Sequence, residues 1–379
     1  MAENTIDGLV PDIYEALDIV SRELTGLIPA VTLNASAQTA QVGQNIRVDI
    51  EPEGNGVDIT PAMTIPEPTG QVSGFTDIII NKSRAFEFGF NGEDQKGLNT
   101  GAGYMNVRQA KIAQAIRKAV NEVELDLAGL QSTFSRAYGT AGTTPFGTAN
   151  DYTDASYVMK ILKDNGSPQS DNHLVVNTAA GANFIGKQSA VNAAGTDSML
   201  RQGVLLDLAG MPLRESAQIS QFTKGTGVNY TSNTAGYAKG ATAITLITGT
   251  GTVLAGDIVT FAGDVNQYVV AVALTGGVIV LAAPGLQQAL PASAVAMTIV
   301  ASSARNMAFN RSALVLATRA PARPEEGDMA DDVMIITDPR SGLSMEFAMY
   351  KGYRKVRYEV SIAWGVKNIK PAHTAILLG

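Results

Sequence analysis

Apolar residues along this chain recur at two different spacings. Near the start, Leu9, Ile13, Leu17, Val20 and Leu24 follow one another every three or four residues, with Pro11 in the opening turn and Gly26 just past the end. That spacing predicts a short amphipathic helix over residues 9–25. From Thr32 to about Gly103 the pattern is extended: Asn45–Ile50, Asp77–Asn81 and Ala85–Phe90 read as strands separated by Pro, Gly and Asn. Alternation in Ala85–Phe90 predicts a strand with one polar face. Residues 107–138 then place Ile112, Ile116, Val120, Val123, Leu127, Leu130 and Phe134 on one face, predicting a helical strut of roughly 46 Å at 1.5 Å per residue. A Gly/Thr-rich loop over 139–150 leads to a helix over 153–163 and a strand at Leu174–Val176.

Residues 241–304 change character, since Asp257 and Asp264 are their only charges. They divide into the short apolar runs Ala243–Ile247, Asp257–Phe261, Tyr268–Val272, Val278–Leu281 and Ala296–Val300 with Gly-rich turns between. This predicts an inserted all-β module over 239–301 that closes its own core, with Gly236, Lys239 and Gly240 as a hinge. So small a module exposes much of its surface, and exposed surface without charge predicts a contact with a neighbour or an outside partner. The tail returns to alternation at Val333–Ile336, Met345–Tyr350 and Arg357–Trp364, so the chain as a whole reads α+β.

Composition narrows the chemistry. The 379 residues include no Cys and only His173 and His373, which removes thiolate chemistry and nearly removes the usual general base and metal ligand. A net charge of -7 without any Lys/Arg-rich run argues against a reader of nucleic-acid sequence. The N-terminus lacks the basic and apolar regions of an export signal, and no window approaches 18 uninterrupted apolar residues, so the expectation is a soluble chain without a membrane partner.

The strut carries its charge in blocks. Arg108, Lys111, Arg117 and Lys118 precede Glu122, Glu124 and Asp126, an order that opposes the helix macrodipole. Either these form a solvated face with a Lys118/Glu122 pair, or they meet neighbouring subunits. Residues 51–76 are rich in Pro, Gly and polar residues, yet they hold Val57, Ile59, Met63 and Ile65, which are expected to be ordered by neighbours.

Candidate catalytic motifs are incomplete. Gly181–Lys187 follows a strand and imitates a phosphate-binding loop, but Gln188 stands where a Mg²⁺-binding hydroxyl belongs, and Phe184 and Ile185 fill the loop. A turn before a helix accounts for it better. Glu325, Glu326, Asp328, Asp331 and Asp332 lack the alternation of a calcium loop, and Gly249, Gly251 and Gly256 read as turn glycines. No enzyme, cofactor or metal is expected.

Arg305–Pro321 resembles the stretch that P22-like phage coat proteins carry after their insertion domain. Trp364–Pro371 is similar to the closing phrase of that family, and Gly256–Gly263 to its insertion-domain strand. The resemblance implies the HK97-like capsid fold. Residues 1–44 would be the N-terminal arm, 45–103 the E-loop region and strands, and 104–139 the P-domain spine helix. Residues 140–238 with 302–325 would be the A-domain, 239–301 the insertion, and 326–379 the last P-domain strands. It also implies a major capsid protein that assembles with itself into hexamers and pentamers around double-stranded DNA. Implied further partners are a scaffolding protein, a portal and a decoration protein. The implied location is the virion capsid, assembled in the bacterial cytoplasm. The alternative is a structural protein of a phage tail or a decoration protein.

Overall fold

The computed structural model describes residues 26–50, 74–99, 103–148, 151–187, 207–337 and 342–379, with Pro11, residues 13–16, Ile59, Pro61 and Met63. The chain is mixed α+β, with few helices and many strands. It begins with β1 (Thr32–Ala40), β2 (Asn45–Ile50), β3 (Gly74–Ile79) and β4 (Lys82–Asn91), then α1 (Gly92–Asn99) and the long α2 (Tyr104–Gly129). There follow β5 (Arg136–Tyr138), α3 (Thr153–Asp164), β6 (Asn172–Val176), α4 (Thr178–Lys187), β7 (Asp207–Leu208), β8 (Met211–Glu215) and β9 (Gln221–Phe222). The charge-poor stretch supplies β10 (Thr231–Ser232), β11 (Ala243–Ile247), β12 (Ile258–Phe261), β13 (Gln267–Thr275), β14 (Val278–Leu281) and β15 (Met297–Ile299). The chain ends with β16 (Ser303–Asn310), β17 (Leu314–Pro321), β18 (Asp332–Thr337), β19 (Ser344–Gly352), β20 (Lys355–Asn368) and β21 (Thr374–Leu378).

One sheet runs β1-β17-β20-β19-β18, with β4 also paired along β20 from Lys82↔Trp364 to Asn91↔Lys355. The apolar face of α2 lies on it. Ile112, Ile116, Val120, Val123 and Leu127 are buried with Phe86, Phe90, Phe347, Val360 and Trp364. Ile13 and Ala16, two of the helical residues described from the first predicted helix, are buried in the same cluster.

The strut is shorter than its periodicity predicts. It has 26 residues, roughly 39 Å, and passes through a 3₁₀ turn, Leu130–Thr133, before the backbone becomes extended at Phe134. Phe134 keeps its place in the apolar pattern while packing edge-on to Phe309, and Ser135 bonds to Thr374, so the chain leaves the helix to pair β5 with β21. Periodicity tracked the shared core, not the backbone conformation.

A second, larger sheet runs β10-β11-β14-β13-β5-β21-β16-β6-β8-β7. All the short apolar runs of the charge-poor stretch are strands within it or beside it. Residues ahead of 239 join the module's core and its backbone pairing. Its core includes Tyr230, ahead of the predicted boundary at 239, and Tyr237 exchanges two backbone hydrogen bonds with Leu290. β13 pairs with β5, and buried Arg136 donates to Asn266 Oδ1 at 3.1 Å and Asn165 Oδ1 at 2.8 Å. Gly249 is a close-approach glycine: a side chain there would overlap the Tyr230 ring.

The phosphate-loop imitation lies inside α4, not in a turn before it. Asn177 Oδ1 accepts from Ala180 N at 3.0 Å and Asn177 O from Gly181 N at 3.0 Å, so these amides are spent on starting the helix. They do not line a loop that wraps phosphate.

Two predictions follow from this packing. Leu127 is fully buried in the cluster beneath α2, so Leu127→Ala should cost about 2–5 kcal/mol in a reversible denaturant titration; an unchanged midpoint would show that the face is not core. His173 is buried beside Phe309, and neither ring nitrogen has a hydrogen-bond partner among the described residues. Burial, with Arg214 and Arg311 nearby, lowers its pKa below the usual 6.5 against the weaker pull of Asp171 and Asp207. The unfolded chain therefore binds the extra proton first, so His173 contributes stability above pH 6.5 that is lost as pH falls below it. Thermal melts from pH 7.5 to 5 should show a smaller drop for His173→Gln than for the parent chain.

Candidate assembly surfaces

The charges on α2 are the first candidates for contacts with other molecules, and the structure gives its acidic half partners within the chain. Glu124 is buried. Its carboxylate accepts from Leu27 N at 2.8 Å, from Ile28 N at 3.4 Å and from Ser216 Oγ at 2.8 Å. Gly26 is required beside it, because a Cβ there would overlap the carboxylate. Asp126 accepts from Trp364 Nε1 at 2.8 Å and from Lys82 Nζ at 2.6 Å, and Glu122 pairs with Arg84 at 3.3 Å. The expected Lys118/Glu122 pair is thus replaced by pairs that cross from helix to sheet.

The basic half covers aromatic rings. Lys111 lies 4.4 Å from the Phe90 ring centroid, Lys118 5.8 Å from Phe86, and the buried Arg108 5.6 Å from Tyr104. Lys111, Arg117 and Lys118 share an open groove of about 660 Å³ between α2 and β4 with Arg84 and Glu87. The dipole mismatch along α2 is offset by these tertiary contacts, Lys111, Lys118, Glu122 and Asp126 each meeting a residue of β4 or β20.

The β2–β3 hairpin is the second candidate. Its inner residues Ile46 and Val48 pack against Ile78, Val315 and Ala317, and Lys367 Nζ fastens its base by donating to Thr76 Oγ1 at 2.6 Å and Asp77 O at 2.8 Å. A side chain at Gly365 would overlap the carbonyl oxygen of Ile79, so glycine lets hairpin and sheet approach. On the outside, Phe75 and Ile79 are more than half exposed, with Arg47 stacked 3.8 Å from the Phe75 ring. Ile59 and Met63 are fully exposed. Val57 and Ile65 lie outside the described residues.

Sequence reasoning missed two joints. Buried Arg305 donates to Gly256 O and stacks 3.7 Å from the Phe222 ring. Burial pushes its guanidinium down to about 10, opposed by nearby Asp257. The second joint is Trp364 to Asp126, between residues 238 apart in the chain. A lone Trp in an alternating strand was the signal available, because a buried indole N–H needs an acceptor.

The acidic residues near 330 are paired or exposed: Asp328 meets Arg323 at 3.1 Å and Asp331 meets Lys351 at 2.5 Å. No cluster able to hold a metal ion occurs among the described residues, and no described helix is long and apolar enough to cross a membrane.

Because Glu124 satisfies three donors, Glu124→Ala should leave the Leu27 amide without an acceptor and cost about 1–3 kcal/mol. Hydrogen exchange at Leu27 and Ile28 should accelerate more than exchange within α2; equal protection in both chains would show that the carboxylate does not hold this segment.

No family model matches the chain, and no curated protein matches it. Among solved structures, it is similar to a chain of Mycobacterium phage Che8, at 13% identity over 88% of this chain and 84% of that one, with a TM-score of 0.46. It is also similar to a chain from the capsid of the cyanophage P-SCSP1u, at 10% identity over 92% and 86%, TM-score 0.46. A chain from the capsid of the Myoviridae phage XM1 is similar at 11% identity over 94% and 92%, TM-score 0.46. At these values the likeness assigns the chain to no family.

Proposed function

We propose that this chain is the major capsid protein of a tailed bacteriophage, P22-like in type and HK97-like in fold. It assembles with copies of itself into hexamers and pentamers of an icosahedral shell around double-stranded DNA. The observation that carries this reading is the meeting of the phrases that resemble coat proteins. Arg305, at the start of one phrase, bonds to Gly256 at the start of another, and β17 pairs with the end of β20 from Leu314↔Asn368 to Thr318↔Trp364. Segments distant in sequence that resemble one family thus form one connected core.

The exposed surfaces support the same reading. The β2–β3 hairpin holds apolar side chains out to water, as does the β19–β20 turn at Tyr353, and exposed apolar groups gathered on projecting hairpins suit contacts between subunits. In this reading residues 1–44 are the arm, 45–103 carry the E-loop, and 104–139 the spine. The charge-poor module is the insertion between the two parts of the A-domain, and 326–379 complete the P-domain. Scaffold, portal and decoration proteins are its proposed partners, the virion capsid its proposed location, and its role structural, not catalytic.

Electron microscopy of the expressed full chain, alone and with the scaffold encoded beside it, tests this. Closed shells are the expected result. Tubes or free trimers under both conditions would overturn it in favour of a tail or decoration protein.

A further inference from the structure

Two arginines and a histidine gather on one face of the large sheet. On β6 and β8 the core fixes the alternation: Leu174, Val176, Met211 and Leu213 pack on the side of α3 and α4, so His173, Pro212 and Arg214 point to the other. β7 adds Asp207 to that face through its pairing with Pro212. β16 adds Phe309, opposite His173 in the register, and the 3₁₀ turn after it begins at Arg311. Arg311 N donates to Asp171 O at 2.9 Å, which holds this turn against the start of β6.

The cluster's polar atoms lack partners where they are most enclosed. Both ring nitrogens of His173 and Nε of Arg214 are buried without a hydrogen-bond partner among the described residues. Arg311 Nε reaches a carbonyl, Val31 O, only at 3.4 Å. Neither arginine forms an ion pair among the described residues. Buried polar groups are nearly always satisfied, so their concentration in one place points to a partner that the chain does not itself supply. A neutral imidazole offers one donor and one acceptor, whereas an imidazolium offers two donors. Added to Arg214 Nε, these form a set that calls for an acceptor with several oxygens.

Charge sets the condition for binding. Arg214 and Arg311 are balanced by Asp171 and Asp207, the acidic groups that act on His173, so the cluster is neutral while the imidazole is neutral. A proton on His173 leaves one positive charge uncompensated. Burial first, and then the two arginines, oppose that proton. An anion among these groups removes the opposition, so proton and anion each favour the binding of the other. Room lies beside Arg311, in an open pocket of about 280 Å³ that Thr32, Ser170 and Asp171 also line. Guanidinium forks match the oxygens of phosphate or sulfate, and the enclosed imidazole nitrogens admit a small ion rather than a group carried on a polymer.

We propose that His173, Arg214 and Arg311 form a binding site for a small tetrahedral oxyanion, of the phosphate or sulfate class, which enters together with a proton on His173. The site belongs to the single folded chain and goes beyond its reading as a shell protein.

Sulfate is the probe, because phosphate changes its own charge near pH 6. With two histidines in the full-length chain, comparison of the parent with His173→Gln assigns the imidazole signals in a proton–carbon NMR spectrum. At constant ionic strength sulfate should move the His173 titration to higher pH. Calorimetry should find it bound about tenfold more tightly at pH 5.5 than at pH 7.5. Arg214→Gln and Arg311→Gln should each remove the NMR shift, and His173→Gln should bind sulfate weakly at both pH values. Melting temperatures without sulfate separate loss of the site from loss of the fold. If Arg214→Gln does not fold, Arg214→Lys keeps the charge without the fork and should retain a smaller shift. A His173 titration that sulfate leaves unmoved would overturn the proposal, as would a parent-like shift in both arginine variants. A short single-stranded oligonucleotide that moves the titration as far as sulfate does would overturn the restriction to a small ion.

Discussion

The buried carboxylate of Glu124 is the constraint on which the arrangement around α2 depends. An ionised carboxylate taken from water costs several kcal/mol unless donors replace the solvent, and here two backbone amides and a hydroxyl do so. Those donors come from the segment before β1 and from the segment after β8, so one side chain fixes the approach of both to the helix. Two residues on, at nearly the opposite side of the helix, Asp126 does the same for β4 and β20 through Lys82 and Trp364. The helix is consequently tied to the sheet by polar bonds at its C-terminal half and by the apolar stripe along its length.

That firmness at the centre contrasts with what projects from it. The β2–β3 hairpin is fastened by Lys367, by the close approach at Gly365 and by the packing of Ile46 and Val48 on Val315 and Ala317, and carries Phe75 and Ile79 outward. The charge-poor module is fixed by the buried Arg136 and Arg305, which donate to Asn266 and to Gly256.

Much of this was legible in the sequence. Period-two alternation located β4, because a strand with one wet face must alternate, short apolar runs located β11 and β14, and the 3.6-residue stripe located α2 through Leu127. The lack of charge marked out the β module, because it is a property of composition that folding does not alter. The same stripe misplaced the end of α2, since Leu130 and Phe134 serve the same core from a different backbone.

What the tertiary structure alone decided is who meets whom. Glu124 and Asp126 look like any solvated helix charges in the sequence, and their partners at Leu27, Ser216, Lys82 and Trp364 are remote in the chain. The module's boundary belongs to the same class: Tyr230 joins its core and β13 joins β5 through pairings that no local window contains. Local sequence determined periodicity, turn chemistry and charge content, because these act over a few residues. Partnerships and the course of each sheet depend on loop closure and packing over the whole chain, and only the folded molecule settles those.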